Sequence, residues 1–412
     1  MTSADLPADA FGRIEGNVHA TVTGLTRVEL ITTPITSTLL HGATDLEHTA
    51  TGVLPHRLPA WARKQFPDDY LRMVEAQPTG VRLAFRTAAT VIELDALPTR
   101  TVYRGAPEPA PGLYELLVDG QPSGHGHVPG GTRHLVDMAT QSTVTEPGSV
   151  GTVRFAGLSA APKDVEIWLP HTEITELVAL RSDAAVEQAA DRGRLVWLHH
   201  GSSISHGANA DRPTASWPAV AAARGGVELI NLSLRGNSLL DPFVARTIRD
   251  IPADRISLKI GINLTNTDVL RLRAFTPAVH GFLDTIRDGH PSTPLLVVSP
   301  VLCPIHEDTP GPGALEFDGT RVRFRATGDP AERAAGKLTL NVIRDELARI
   351  VKQRAAEDSN LHYLDGRTLY GEQDYAELPL PDELHPDTAT HRRIGTRFAD
   401  IAFGANGPLA AN

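Results

Sequence analysis

A change of hydrophobic period near residue 193 divides this chain into two kinds of structure. From the start to about residue 188, apolar residues come in short alternating groups broken by clusters of Gly, Pro and Asp, the rhythm of a β-sandwich. Candidate strands cover residues 18–22, 80–86, 91–97, 112–118, 150–155, 165–170 and 173–180, and Asp119-Gly120 supplies a hairpin turn signal. Residues 59–75 interrupt the rhythm, because Trp61, Phe66, Tyr70, Leu71 and Val74 suit a helix or helical turn inserted in the sandwich. Residues 182–194 are polar and unpatterned, which places a boundary there and gives two domains, 1–188 and 189–412.

Beyond that boundary, continuous apolar runs at 195–199, 227–232, 255–260, 294–299 and 361–364 alternate with helical segments. Each run is too short for a helix and apolar enough to be buried on both faces, so five parallel strands are expected. Helices are predicted over 217–224, with Ser216 as N-cap and Pro218 in the first turn, over 332–354, and over 390–403. The second helix carries Leu340, Ile343, Leu347, Ile350 and Val351 on one stripe, and the third turns Ile394, Phe398 and Ile401 inward. The fold expected is α/β: a doubly wound five-stranded parallel sheet preceded by an all-β, jelly-roll-like sandwich. In such sheets ligands bind beyond the carboxyl ends of the strands.

Composition narrows the function. With 39 Lys and Arg against 49 Asp and Glu, the net charge of −10 repels a phosphate backbone, so nucleic acid is a poor partner. No apolar run approaches the roughly 20 residues a bilayer span needs, and membrane partnership is not expected. The first residues are acidic with no apolar stretch behind them, which does not support export by the general route and makes the cytoplasm the expected compartment. A single cysteine, Cys303, permits neither an intramolecular disulfide nor a multi-thiolate metal site.

The residues that follow each predicted strand share a theme. After the first comes Gly201-Ser202-Ser203-Ile204-Ser205-His206-Gly207, after the second Arg235-Gly236-Asn237-Ser238, after the third Gly261-Ile262-Asn263, and after the fifth Asp382-Glu383-Leu384-His385. A serine hydroxyl is a weak nucleophile near neutral pH and needs an imidazole to take its proton, and the imidazole needs a carboxylate to fix its tautomer. Ser203, His385 and Asp382 fit those parts, since three residues of turn can return a carboxylate to the histidine Nδ1. Attack on a carbonyl puts negative charge on oxygen, for which the backbone N–H groups of Ser203 and Gly236 and the amide of Asn263 are the candidate donors.

Taken in order, these blocks resemble the SGNH hydrolase superfamily, the GDSL lipases and esterases, over about residues 195–403. The G-D-S block stands here as Gly201-Ser202-Ser203, a variation found in the branch whose motif reads G-S-S-I-T-H-G. The G-x-N-D block stands as Gly261-Ile262-Asn263-Leu264, without its aspartate, and D-x-x-H is complete at Asp382 and His385. A sandwich ahead of such a domain is also similar to some bacterial carbohydrate esterases and to a GDSL-type acyltransferase that tailors a tetracycline. The resemblance implies a serine esterase acting on an acyl ester of a small molecule or carbohydrate, with no metal or nucleotide cofactor. The alternative is an O-acyltransferase in which a small-molecule hydroxyl replaces water.

Competing assignments stay open at this point. Ser203 also suits a helix N-cap, with Ser205 and then Ser202 as rival nucleophiles; Asp387 or Asp365 could orient the histidine; Asn263 could merely tie a loop to backbone. His199, His200 and His206 invite a metal reading, but adjacent histidines on a strand point to opposite faces. His206, Arg235 and Asn237 are candidates for substrate contact. Cys303 reads as a small packed residue and residues 304–319 as a pocket loop. A different class, a non-catalytic carbohydrate-binding protein, is disfavoured by the intact Ser, Asn, Asp and His set. The sandwich is expected to narrow the pocket rim rather than to bind glycan.

Overall fold

The computed structural model describes residues 29–105, 108–137, 140, 142–317 and 321–411, so the expected strand at 18–22 lies outside the described residues. The N-terminal half forms two sheets with one core between them. The larger runs in the order Ser142–Glu146, Thr132–Asp137, Val91–Tyr103, Ile174–Ser182, Val53–His56, Asp45–His48, with Gly151–Ala156 also on Val91–Tyr103 and Ile31–Thr33 on Ile174–Ser182. The smaller runs Val186–Gln188, Arg82–Thr87, Lys163–Trp168, Leu113–Val118, Gln121–His127, with Leu40–His41 on Arg82–Thr87. Leu83, Phe85, Leu116 and Ile167 from one sheet and Ile92, Leu94, Val153 and Leu180 from the other close the core between them. Burying each such side chain stabilises the fold by about 1.5–3 kcal/mol. Asp119 and Gly120 both take positive φ (50° and 79°), the conformation of a two-residue hairpin turn whose twist matches its strands.

The C-terminal half is a parallel sheet of five strands, labelled β1 (Val196–His200), β2 (Glu228–Asn231), β3 (Arg255–Lys259), β4 (Leu295–Val298) and β5 (Leu361–Leu364). Their order is β2-β1-β3-β4-β5, the flavodoxin-like arrangement, with the chain reversing direction across the sheet beside β1. Successive residues point to opposite faces, and each face has its own core. Leu198, Ile256, Leu258 and Val297 pack against helices Pro242–Asp250, Leu272–Gly289 and Leu340–Arg354. Trp197, Leu229 and Val298 pack against helices Trp217–Gly225 and Thr388–Ala402, where Phe398 lies 5.1 Å from the ring centroids of both Trp197 and Trp217. Ser216 is the N-cap of Trp217–Gly225, but its hydroxyl donates to the carbonyl of Pro213 rather than capping the helix. The long helix expected over 332–354 is instead a 3-10 turn, Pro330–Ala335, followed by a separate helix, Leu340–Arg354. Gly336 takes φ 86° between them and Thr339 caps the second, so the chain changes direction before the apolar stripe begins.

Residues 57–79 join the halves. Helices Ala60–Gln65 and Asp69–Ala76 leave the sandwich, and Leu58, Ala62, Leu71 and Val74 enter the same core as Leu232, Leu234 and Phe243. Arg57, fully buried, donates to the carbonyls of Val74, Gln77, Asn231 and Ser233, clamping this insert to the loop after β2. Burial lowers its pKa to about 10, with Glu75 opposing, so it remains a cation at neutral pH. No helix among the described residues is long and apolar enough to cross a membrane.

Candidate active site

Ser203 opens the short helix Ser203–His206 directly after β1, at a position where a backbone N–H has no intrahelical acceptor. The cap belongs to its neighbour: Ser202 accepts the N–H of Ile204 at 3.3 Å. Ser205, the other rival, has a fully buried hydroxyl. From the far end of the chain, His385 brings Nε2 to 2.9 Å from the Ser203 hydroxyl oxygen, and its Nδ1 lies 2.8 Å from Asp382 Oδ2. The other Asp382 oxygen accepts the N–H groups of Leu384 (3.0 Å) and His385 (2.6 Å), a turn tight enough that Glu383 sits at φ 68°. Burial acts to raise the Asp382 pKa, but the hydrogen bonds and charge supplied by His385, with the two backbone donors, hold the carboxyl below its ordinary range. The rival carboxylates are engaged elsewhere: Asp387 caps helix Thr388–Ala402 through Thr390, and Asp365 holds Arg367.

Gly236 and Asn263 complete the floor. Gly236 takes φ 73°, a conformation that strains other residues, and a Cβ there would sit 2.9 Å from the ring of Tyr70 and push it aside. Asn263, in the first turn after β3, accepts the N–H of Ser238 on Oδ1 at 3.3 Å, which leaves its NH2 as the end available to a ligand. Behind it runs a buried chain. Ser238 Oγ lies 3.0 Å from His200 Nε2, and His200 Nδ1 lies 2.8 Å from the carbonyl of Leu232. Because that carbonyl can only accept, the His200 proton is on Nδ1 and Ser238 donates to Nε2; burial pushes the His200 pKa down to about 4, which keeps the ring neutral. No local sequence signal marks this chain, since its members are 38 and 25 residues apart.

Ser203, Gly236, Asn263 and His385, together with Arg235, line a cleft of about 1750 Å³. One wall is a hairpin, Gly313–Phe317 with Val322–Ala326, so the expected pocket loop is partly a β-ribbon. Leu315 and Phe317 stand exposed along the cleft, and Phe324 meets the His385 ring edge-on at 5.2 Å. The facing wall comes from the N-terminal half, through Tyr70 and Met73 of the insert and Tyr103 and Val136 of the sandwich. None of the wall residues from the N-terminal half was singled out for the site from sequence, because that contact is set by domain packing.

Two expected substrate contacts need correction. His206 is 1% exposed and does not line the cleft; its Nε2 faces the carbonyl of His171 (2.8 Å) and its Nδ1 that of Ser233 (3.3 Å), which makes it a tie between the halves. Asn237 donates to the carbonyl of Arg235 within its own turn and is absent from the cleft lining. His199 and His200 point into opposite cores, the first against Trp217 and the second toward Phe282. Cys303 is buried, and burial, with Glu307 and Asp382 nearby, pushes its thiol pKa up, away from nucleophilic use.

Comparison with known proteins bears directly on this geometry. Residues 200–393 match the model of the GDSL-like lipase/acylhydrolase family, and residues 38–178 match that of the SsfX3 N-terminal domain. The chain is an SGNH hydrolase with an N-terminal β domain. It is similar to the salicylyl-acyltransferase SsfX3 from a tetracycline biosynthetic pathway, at 28% identity and a TM-score of 0.73, over 90% of this chain and 95% of that one. The same fold is shared by a protein described as a GDSL-like lipase from Bacteroides ovatus (20% identity, TM-score 0.63, 90% and 96% covered). A family two carbohydrate esterase from Cellvibrio japonicus shares it as well (11% identity, TM-score 0.54, 90% and 96% covered). No curated protein sequence matches the chain. As an SGNH hydrolase it is an enzyme of the ester hydrolase or acyltransferase kind.

Proposed function

We propose that this protein transfers acyl groups through an ester formed on Ser203, with His385 as base and acid and Asp382 orienting it. The observation that carries the reading is the unbroken hydrogen-bonded line from Asp382 through His385 to the Ser203 hydroxyl, ending at the floor of a cleft. His385 Nε2 takes the Ser203 proton as the serine oxygen bonds to the substrate carbonyl carbon, and the carbonyl π electrons move onto oxygen. That oxyanion meets the N–H groups of Ser203 and Gly236 and the amide of Asn263. Collapse expels the alcohol, which leaves with the proton from His385. An incoming hydroxyl then gives its proton to His385, attacks the acyl-serine, and releases the acid or new ester as Ser203 regains its proton. Every proton and electron pair is carried by this chain's own residues and the two substrates.

Water as the incoming group makes an esterase, and a small-molecule hydroxyl makes an O-acyltransferase. The second reading is favoured by similarity to an acyltransferase over both halves of the chain and by a cleft far larger than a short ester requires. In this reading residues 189–412 carry the chemistry, and residues 1–188 shape the space for acyl donor, alcohol or glycan. Turnover of p-nitrophenyl acetate, with products analysed with and without added alcohols, tests it. The Ser203→Ala variant is expected to lose at least about 10³-fold in kcat, and equal rates would contradict the proposal.

A further inference from the structure

Among the described residues, the acids and arginines that line the cleft have partners of opposite charge, Arg63 lying 3.8 Å from Glu47 and 4.0 Å from Glu75, with one exception. The lining carries the acids Glu47, Asp69 and Glu75, of which Glu47 and Glu75 hold His56 at 3.0 and 2.6 Å and Asp69 holds Arg72 at 3.3 Å. Arg63 pairs with Asp45 at 3.0 Å and Arg104 with Asp137 at 3.7 Å. Arg235 also lines the cleft, yet among the described residues no carboxylate stands within ion-pair distance of its guanidinium. It is half-buried and directly precedes Gly236, against which the Tyr70 ring packs. Its charge reaches the phenol of Tyr70, where burial raises the pKa and Arg235 acts in the opposite sense. A guanidinium offers five N–H donors in a planar fork that matches a carboxylate, and leaving it half-buried and unmatched beside a reacting centre costs stability.

We infer that Arg235, with the hydroxyl of Tyr70, forms a subsite for an anionic group, a carboxylate or phenolate, carried by the substrate near its ester bond. The inference rests on acyl transfer at Ser203. The residues that form the subsite come from both halves of the chain, so substrate charge is read at the same seam where the cleft is built. The anion can belong to the acyl group or to the alcohol, and two pairs of esters separate these sources. On the acyl side, p-nitrophenyl hydrogen succinate is compared with its methyl ester; on the alcohol side, 4-carboxyphenyl acetate is compared with its methyl ester.

The readout is the anionic-to-neutral ratio of kcat/KM in the variant divided by that in wild type, which cancels the esters' intrinsic reactivities. Arg235→Met is expected to lower the ratio about 10- to 100-fold in one arm, the scale of a charge-assisted hydrogen bond. Arg235→Lys should lower it less, and Tyr70→Phe by a few-fold. Ratios unchanged within about twofold in both arms would overturn the inference while leaving acyl transfer intact. If no ester shows Ser203-dependent turnover, the acyl-transfer reading is the one that fails. Calorimetric binding of the same esters to Ser203→Ala protein, with and without Arg235→Gln, then decides this subsite: tighter binding of an anionic ester that disappears with Arg235→Gln supports it, and equal binding contradicts it.

Discussion

The two halves of the chain meet at one cleft, but they supply it with differently held side chains. Ser203, His385 and Asn263, from the C-terminal half, are 5%, 5% and 4% exposed and are fixed by hydrogen bonds to other buried groups. Tyr70 and Tyr103, from the N-terminal half, are 41% and 39% exposed and line the cleft with part of each ring open to it. Reacting groups need to be held close to one geometry, because misplacement by about 1 Å can cost 10²-fold in rate. Wall residues need only shape and polarity. Changes in the C-terminal floor should therefore appear in kcat, and changes at the seam in stability or substrate preference.

The largest test of that contrast is Asp382→Ala. Without its carboxylate, His385 loses the acceptor at Nδ1 and the turn loses two backbone hydrogen bonds, so kcat should fall about 10³-fold, less than for His385→Ala. Steady-state kinetics on one activated ester checks it, and full activity would assign the orienting role elsewhere.

At the seam, Glu228 of β2 pairs with Arg82 and with His41 of the sandwich. Burial opposes ionisation of Glu228, but Arg82 and His41 outweigh it and hold the pKa down to about 2 from an ordinary 4.5. A depressed carboxyl pKa stabilises the fold fully above the ordinary value, and that contribution fades as pH falls toward 2. Glu228→Gln should therefore cost about 2 kcal/mol near pH 7 and progressively less between pH 4.5 and 2, measured by denaturant unfolding across pH. A pH-independent loss would place the effect in packing instead. The smallest effect expected is that of Ser238→Ala, which keeps the backbone donor to Asn263 but removes the hydroxyl between it and His200. A fall in kcat of about fivefold with KM little changed, the worth of one buried hydrogen bond, is predicted.

The same contrast explains how far the sequence could be read. The parallel strands were legible because burial on both faces leaves uninterrupted apolar runs, and the nearness of Asp382 to His385 follows from three residues of chain. Gln121–His127 was not, since Gln-Pro-Ser-Gly-His-Gly-His is mostly exposed and has no alternating pattern; it is a strand because Leu113–Val118 offers it an edge after a two-residue turn. The break at Gly336 was hidden because the apolar stripe beyond it is helical in its own right. His206 was misread because closeness in sequence to Ser203 says nothing about His171, which arrives from the other half to cover it. Tyr70 and the His200 chain depend in the same way on contacts between distant segments, which no local period encodes.

Covalent capture tests the central claim most directly. The protein is mixed briefly with p-nitrophenyl butyrate, quenched in acid, digested and examined by mass spectrometry. One butyryl group on Ser203, absent from the Ser203→Ala protein, is the predicted result. Continued turnover with the acyl group on another residue, or on none, would contradict it.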